Sequence, residues 1–355
     1  MKNKLEFILG VFLVGLILLV GGIYYFSPKK EKKLETFSDT FLTLEEKDKA
    51  FKRAIPISSP DGFVNTEGKP ITLEELKGKK VVLLDIWTYS CINCQRTLPY
   101  INEWYEDYKD QGLEIIGLHT PEFAFEKVQK NVEDAVKKFD IQYPVVLDND
   151  FSTWRAYGNQ YWPRKYLIDI DGFVIYDHIG EGGYEETRKA IEYALKERNQ
   201  KLGIQEDVVS AESRVSTQVN KKVGSPEIYF GSFRNEHLGN GTPFVLGEKE
   251  FVIPDKISPN AVYLEGTWDI ASEYSQNKTK NSEVVFAYEA RNVYMVAGSK
   301  LPVQVEVYKD DVLIQTIIIS NEGLYSLLED EVSGTHTLRL RILSPNLELF
   351  TFTFG

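Results

Sequence analysis

Apolar runs alternate with amphipathic stretches between residues 53 and 198. Two runs, 80–87 and 113–118, are apolar almost throughout and are typical of strands covered on both faces. A hairpin turn pair, Asp171-Gly172, separates two further strands. These strands cover 165–170 and 173–177, and stretches with apolar residues at helical spacing cover 99–109, 122–139 and 184–201. The order β-α-β-α-β-β-α predicts a central sheet with helices on its faces.

Residues 225–355 carry short β-rich runs and no helical periodicity. Turn residues separate several of these runs, among them Lys309-Asp310-Asp311, Gly334 and Pro345-Asn346. The runs cover 284–287, 293–297, 303–308, 312–319, 336–343 and 347–354. Six or more such strands predict an all-β sandwich or jelly roll.

A run of twenty residues without a charge, Phe7 to Phe26, precedes both folded parts. At about 1.5 Å per residue it spans about 30 Å, the thickness of a bilayer core. It predicts an uncleaved transmembrane anchor, with a cleaved signal peptide as the alternative. The predicted organisation is therefore an anchor (1–28), a juxtamembrane spacer (29–52), an α/β domain (53–198), a linker (199–224) and a β-sandwich domain (225–355).

Two observations conflict on the side of the membrane that holds the domains. More lysines follow the span than precede it, and the positive-inside rule then places the bulk of the chain in the cytoplasm. However, the chain has no cysteine outside one motif, which suits an oxidising compartment where stray thiols would mispair. We expect the extracytoplasmic side.

Composition and charge exclude several classes of protein. The chain has 41 basic and 53 acidic residues, and a net charge of −12 argues against a nucleic-acid partner. Two cysteines are too few for a disulfide-stapled scaffold or a four-thiolate zinc site. His119 and His178 lack zinc-finger spacing, and no glycine-rich dinucleotide fingerprint is present, so we expect neither a metal nor a cofactor.

The two cysteines form the motif Cys91-Ile92-Asn93-Cys94, between the strand 80–87 and a predicted helix. A helix N-terminus presents unpaired N–H groups and a partial positive charge, which stabilise a thiolate. A second thiol one turn later can resolve a mixed disulfide by attacking the first sulfur. We therefore predict that Cys91 is the exposed nucleophile and Cys94 the buried resolving thiol.

Three further residues converge on this motif. Asp85 is a carboxylate inside an apolar strand, so burial should raise its pKa and suit it to accepting the proton of Cys94, unless it faces solvent at the strand end. Pro163, after Trp162, would abut the disulfide if its peptide bond were cis, and is otherwise a strand-entry proline. Glu122 is either a second proton relay or a carboxylate at a helix start.

Five sequence blocks, in this order, resemble the thioredoxin-like domain of DipZ-type proteins: WTYSCINCQRTLPY, GLHTPEF, YPVVLDND, YWPRKYLIDIDG and HIGEGGY. These proteins belong to a wider group of membrane-anchored thiol-disulfide oxidoreductases that includes the TlpA and ResA-like proteins. The resemblance covers roughly residues 54–198 and implies a thioredoxin fold with Cys91 and Cys94 as the redox pair. It also implies that Pro163 is the cis-proline, that Asp85 is the buried carboxylate and that Glu122 matches the active-site glutamate of ResA-like members.

The C-terminal part extends the resemblance, through SPEIYFG, LEGTW, ARNVYMV, GTHTLRL and FTFG. These segments are similar to the carbohydrate-binding-module-like β-sandwich of DipZ-type proteins. Trp268, Tyr229 and Tyr325 are candidates for an aromatic platform on which a sugar ring or a peptide stacks. The alternative is that these residues belong to the core or to a surface that docks a partner.

The sequence thus predicts a membrane-anchored, extracytoplasmic thiol-disulfide oxidoreductase, with disulfide-containing proteins as substrates. DipZ-type proteins carry a multi-helix membrane reductant where this chain has one span. The resemblance therefore implies a separate electron donor, similar to CcdA. Two alternatives remain, a disulfide-forming oxidase and a cell-surface protein whose sandwich binds a glycan or a partner.

Overall fold

The computed structural model describes residues 40–216 and 223–355, and the span predicted over 7–26 lies outside them. In these two ranges, no helix combines the length and the apolar character needed to cross a bilayer. The chain divides into two compact units, residues 1–52 and 53–355. In the first, helix α1 (Leu44–Ala50) begins at a capping box in which Thr43 and Glu46 satisfy each other's backbone N–H groups.

The second unit contains an α/β region followed by a β-region. The strands as far as residue 179 are β1 (Lys52–Arg53, at the boundary between the units), β2 (Gly62–Val64), β3 (Val81–Trp87), β4 (Leu113–His119), β5 (Val145–Leu147), β6 (Arg164–Ile168) and β7 (Phe173–Ile179). The helices are α2 (Leu73–Leu76), α3 (Ile92–Tyr108), α4 (Gln129–Lys138), α5 (Ser152–Ala156) and α6 (Tyr184–Leu202), with a short 3₁₀ helix over Ala124–Lys127.

Strand β3 lies in the middle of the α/β sheet, in which strands β2 to β7 have the order β7-β6-β3-β4-β5-β2. It pairs with β4 in parallel and with β6 in the antiparallel direction. All seven of its residues are buried, which explains its continuous apolar sequence. Because side chains alternate along a strand, Val82, Leu84 and Ile86 enter one core cluster and Asp85 points to the opposite face.

The helix predicted over 122–139 is wrong in its first third. The chain forms the 3₁₀ turn Ala124–Lys127, and α4 begins only at Gln129, after Val128 in an extended conformation. Val132 and Val136 are buried as the periodicity predicts, but Val128 is half-exposed. Glu122 therefore lies in a loop and not at a helix start.

All the strands of the C-terminal region, residues 223–355, belong to one antiparallel sheet. This C-terminal β-region contains β8 (Ile228–Tyr229), β9 (Gly247–Phe251), β10 (Val262–Ile270), β11 (Ser275–Asn277), β12 (Ser282–Gly298), β13 (Val303–Lys309), β14 (Val312–Ile319), β15 (Gly323–Ile342) and β16 (Glu348–Phe354). The two longest strands, β12 and β15, pair over most of their length. Register shifts between Ala290 and Asn292 and between Val293 and Tyr294 interrupt this pairing, as bulges do in long strands.

Two predicted breaks in the C-terminal β-region do not exist. The runs 284–287 and 293–297 are parts of the one strand β12, and Gly334 lies inside β15 opposite Ala290. Strands β8 to β11 were absent from the prediction, because their polar and aromatic residues interrupt the alternation of apolar positions.

An aromatic cluster joins the α/β region to the C-terminal β-region. Phe123 and Phe125 pack edge-to-face against Phe350 of β16, with ring centroids 5.1 and 5.0 Å apart. Phe350 is 3% exposed, so its ring is desolvated by both regions. Aromatic pairs in this arrangement stabilise a fold beyond the area that they bury.

Replacing Phe350 by alanine should lower the free energy of unfolding by about 3 kcal/mol, because it removes a buried ring and leaves a cavity. Urea-induced unfolding followed by fluorescence measures this change. Phe233→Ala is the matched control, since Phe233 is 71% exposed and its removal should change stability by less than about 0.5 kcal/mol. Equal losses in both variants would contradict this account of the cluster.

Candidate redox site

The redox turn, residues 90–94, forms where β3 ends and α3 begins. Cys91 is the N-cap of α3, in an extended conformation, and its Sγ accepts a hydrogen bond from the Cys94 N–H at 3.3 Å. A sulfur therefore occupies the position that serine or aspartate oxygens usually take at a helix start. Cys91 is half-buried and Cys94 is only 1% exposed, and both are free thiols. This is the asymmetry predicted from the sequence.

The two thiols differ in how readily they ionise. Burial raises the pKa of Cys94 well above its ordinary value, and the neighbouring Cys91 and Asp85 raise it further. A hydrogen bond from the Thr88 backbone acts in the opposite direction. Cys94 thus needs a base before it can act as a nucleophile.

Asp85 is buried on the same strand, six residues before Cys91, and the solvent-facing alternative is excluded by its 1% exposure. Burial raises its pKa from 3.8 to about 6, and the charge of Lys165 offsets part of the rise. Lys165 is the direct cross-strand neighbour of Asp85 on β6 and is itself fully buried. Burial lowers the pKa of Lys165, and Asp85 and Cys94 act in the opposite direction. This lysine is not among the residues predicted from the sequence, although its position opposite Asp85 follows from the strand pairing.

Several buried polar atoms around Asp85 lack a hydrogen-bond partner in the described ranges. They are one carboxylate oxygen of Asp85, the indole nitrogen of Trp87 and the hydroxyl of Tyr143. Gly117 is the neighbour of Asp85 on β4, and a Cβ there would lie 3.0 Å from both the Trp87 and the Tyr143 rings. The missing side chain therefore lets these rings approach β4, close to the buried carboxylate.

Pro163 is buried and its peptide bond with Trp162 is cis. It directly precedes β6, in which Arg164 pairs with Ile86 near the end of β3. The indole N–H of Trp162 donates to the Thr120 carbonyl at 2.9 Å, and the Thr120 N–H donates to the Trp87 carbonyl at 3.1 Å. The register places Pro163 at the end of the sheet from which the redox turn emerges.

Glu122 forms hydrogen bonds with two side chains of the C-terminal β-region. Its Oε1 accepts hydrogen bonds from the Tyr229 hydroxyl at 2.9 Å and from Arg234 Nη1 at 2.8 Å. Its side chain is 11% exposed. The expectation of a helix-start carboxylate is wrong, and the expected proton relay would have to operate from within an ion pair.

A different carboxylate, Glu126, contacts the redox turn. It is fully buried, and its Oε1 accepts hydrogen bonds from the Ser90 hydroxyl at 2.6 Å and from the Ser90 N–H at 3.2 Å. Burial raises its pKa, while the hydrogen bonds from Ser90 act in the opposite direction. The sequence treated Glu126 as part of a helix, and nothing local distinguishes it from a surface carboxylate.

Arg96, one turn into α3, fixes the middle of the motif. Its guanidinium donates to Asn93 Oδ1 at 2.6 Å and to Glu181 at 2.7 Å. A Cβ on Gly355 would lie 2.1 Å from Arg96 Nη1, so the end of the C-terminal β-region lies directly against this guanidinium. No local sequence pattern predicts this contact, because it depends on the packing of the two regions.

Trp268 cannot contribute to the predicted aromatic platform. Trp268 is fully buried in the core of the C-terminal β-region, and its indole N–H donates to the Glu265 carbonyl at 2.9 Å. It cannot stack on a ligand, so the core alternative holds for this residue. The Tyr229 ring lies 3.7 Å below the Arg234 guanidinium, which covers one of its faces. Tyr325 packs against the core and donates its hydroxyl to the Asn321 carbonyl.

Carboxylates that could hold a metal ion lie away from the cysteines. Asp169, Asp171 and Glu197 come within 4.8 Å of one another, and Lys201 forms ion pairs with Asp171 and Glu197. His119, next to the redox turn, is fully buried, and burial lowers its pKa to about 3. Its imidazole is therefore neutral at physiological pH and stacks against Tyr89.

Two family models match this chain. One described as Redoxin matches residues 45–195, and one described as a thioredoxin-like C-terminal domain matches residues 225–355. Together with the fold, the first match confirms the predicted thioredoxin-like fold.

Curated relatives match large parts of this chain. Protein DipZ of Mycobacterium bovis is 36% identical over 296 residues, covering 83% of this chain and 41% of its own length. Thiol-disulfide oxidoreductase ResA of Bacillus cereus is 34% identical over 197 residues, covering 55% of this chain and 96% of its own. ResA of Bacillus thuringiensis is 36% identical over 163 residues, covering 45% and 85%. The chain thus spans about two fifths of the DipZ relative.

Asp85→Asn should stabilise the protein at neutral pH. The pKa of about 6 in the folded state exceeds the value of about 3.9 for an unfolded aspartate, so stability falls as pH rises from about 4 to about 6. That difference corresponds to about 3 kcal/mol above pH 6. Because buried Lys165 loses a neighbouring anion, we expect a net gain of about 2 kcal/mol at pH 7 that disappears near pH 4.

Urea-induced unfolding between pH 4 and pH 8 measures this gain. Asp134→Asn, at an exposed position, is the control and should follow the wild type throughout. A gain at pH 7 that persists at pH 4 would show that the Asp85 carboxylate is not the titrating group.

Proposed function

The chain belongs to the thioredoxin-like thiol-disulfide oxidoreductases and is of the DipZ type, and we propose that it is a membrane-anchored extracytoplasmic reductase of protein disulfides. The observation that carries the proposal is the asymmetric pair at the start of α3. One thiol is accessible and accepts a helix N–H group, and the other is buried one turn later beside a carboxylate.

The first chemical step belongs to Cys91. Its thiolate attacks one sulfur of a substrate disulfide, so that a mixed disulfide forms and the other substrate sulfur leaves as a thiolate. The Cys94 N–H hydrogen bond to Cys91 Sγ supports this role, because it favours the thiolate as acceptor. Pro163, at the edge of the sheet beside the turn, is proposed to line the approach of the substrate.

The second step releases the substrate. Cys94 attacks the Cys91 sulfur, which frees the second substrate thiol and leaves a Cys91–Cys94 disulfide. Because burial raises the pKa of Cys94, its proton must go to a base, and we assign this role to Asp85. A pKa of about 6 leaves Asp85 mostly ionised at neutral pH and still close enough to neutrality to take up a proton.

Two electrons must then return to the disulfide. We propose that a membrane protein similar to CcdA supplies them, because the DipZ-type proteins that this chain resembles carry a multi-helix membrane reductant. The uncharged run Phe7–Phe26 would hold the catalytic domain at the membrane surface next to this donor.

Cys94→Ser should accumulate mixed disulfides with substrate proteins in cells, because the resolving thiol is absent while the nucleophile remains. Cys91→Ser should accumulate none, because its remaining thiol is buried. Non-reducing electrophoresis after acid quenching measures both. If Cys94→Ser forms no more mixed disulfides than Cys91→Ser, the assigned order of attack is wrong.

The anchor has a separate test. The full chain should remain in the membrane pellet after extraction with alkaline carbonate, and a variant lacking residues 1–28 should be soluble. Protease added to intact cells should digest the C-terminal β-region, because we place it outside. Release of the full chain by carbonate would exclude a transmembrane anchor. Protection of the C-terminal β-region from protease would indicate the opposite orientation in the membrane.

A further inference from the structure

Glu126 joins the redox turn to the loop 121–126. One carboxylate oxygen accepts from the Ser90 N–H and hydroxyl, and the other accepts from the N–H groups of Glu122 at 2.5 Å and Phe123 at 3.0 Å. In these four hydrogen bonds the Glu126 carboxylate is the acceptor, with two bonds at each oxygen. The position of Ser90, and therefore of the backbone that leads into Cys91, depends on where the loop holds Glu126.

The C-terminal β-region holds the outer side of the same loop. Arg234 and Tyr229 both donate to Glu122 Oε1, at 2.8 and 2.9 Å. The Ala124 N–H donates to Glu273 Oε2 at 2.8 Å, and Phe350 packs against the two phenylalanines of the loop. The loop is thus fixed from both sides, by the redox turn on one and by the C-terminal β-region on the other.

Arg234 and Tyr229 are themselves well fixed. The Arg234 guanidinium stacks over the Tyr229 ring at 3.7 Å and lies 5.6 Å from the Phe123 ring. The Tyr229 hydroxyl also contacts Glu227 at 2.8 Å, whose other oxygen accepts from the Thr353 hydroxyl. Strand β16 pairs with β8 at Tyr229 and Thr351, so Tyr229 lies on a hydrogen-bonded sheet, and Arg234 lies in a turn that follows β8.

We propose that Arg234 and Tyr229 are positioning residues for the redox turn, which act through Glu122, the loop 121–126 and Glu126 on Ser90. The proposal rests on the thiol-disulfide function proposed above, and it gives the C-terminal β-region a part in the chemistry of Cys91. In this arrangement, Glu122 is the anchoring point of the loop and Glu126 is the carboxylate that contacts the redox turn.

The expected consequence is a change in the redox equilibrium of the pair. The arrangement in which Cys91 Sγ accepts the Cys94 N–H stabilises the reduced, thiolate-bearing form. Loosening the loop moves Ser90 and weakens that stabilisation, so the oxidised form should gain. The reaction to be measured converts the dithiol and glutathione disulfide to the protein disulfide and two molecules of glutathione, which balances two electrons and two protons.

The experiment determines this equilibrium constant for the full chain and four variants by alkylation and mass analysis in glutathione buffers. Arg234→Gln and Tyr229→Phe should each raise the constant by about threefold or more. Ser90→Ala, which removes the hydroxyl bond to Glu126 without changing any charge, should do the same. Arg339→Gln breaks an ion pair with Glu283 inside the C-terminal β-region and should leave the constant unchanged.

A double variant distinguishes positioning from a structural role. Arg234→Gln combined with Ser90→Ala should change the constant by less than the product of the single changes, because both break the same connection. An unchanged constant in Arg234→Gln and Tyr229→Phe, a shift towards the dithiol, or a double variant equal to the product would overturn the proposal. If Arg234→Gln does not fold, Tyr229→Phe still tests the proposal, because it removes only one hydroxyl.

The same experiment distinguishes a failure of the positioning role from a failure of the proposed oxidoreductase function. If the wild-type pair shows no reversible two-electron equilibrium with glutathione, the oxidoreductase proposal fails. If the wild type cycles and the interface variants match it, only the positioning role fails.

Discussion

The site depends on holding two thiols within the first turn of one helix while burying only one of them. Strand β3 is covered on both faces and delivers the chain to the end of the sheet, where α3 starts at Cys91. The N–H of Cys94 then points at the first sulfur, and the second sulfur is carried into the core. The partial positive charge of a helix N-terminus stabilises negative charge on the exposed sulfur. Burial in the core disfavours the charged form of the other sulfur.

Because burial raises the pKa of Cys94, this thiol requires a base close to it in the core. Asp85 and Lys165 are cross-strand neighbours, and burial moves their pKa values towards each other, one up and one down. Each charge offsets part of the cost of burying the other, because an isolated buried charge costs several kcal/mol. Stability is therefore sacrificed beneath the redox turn, in keeping with a site that has to move a proton.

The C-terminal β-region is more than an appended domain in this architecture. It contributes Phe350 to the aromatic cluster, bonds Glu122 through two side chains, and brings Gly355 against Arg96 beside the motif. On the thioredoxin-like side, these contacts involve the loop 121–126 and helix α3. Both elements adjoin the redox turn, so packing between the regions and the geometry of the thiols are linked.

The sequence by itself determined the parts that obey local rules. The buried run 80–87, the cysteine spacing and the following helical pattern predicted a central sheet with helices on its faces, the different burial of the two thiols and the burial of Asp85, because periodicity and helix-end chemistry act over a few residues. The thioredoxin fold itself was implied by the resemblance to DipZ-type proteins. Only the tertiary structure decided the partners. Lys165 meets Asp85 through strand pairing, Glu126 reaches Ser90 from 36 positions away, and Glu122 bonds Arg234 from the far part of the chain. Trp268 proved to be core for the same reason: whether a side chain faces a ligand, a partner or the interior depends on which distant elements pack around it.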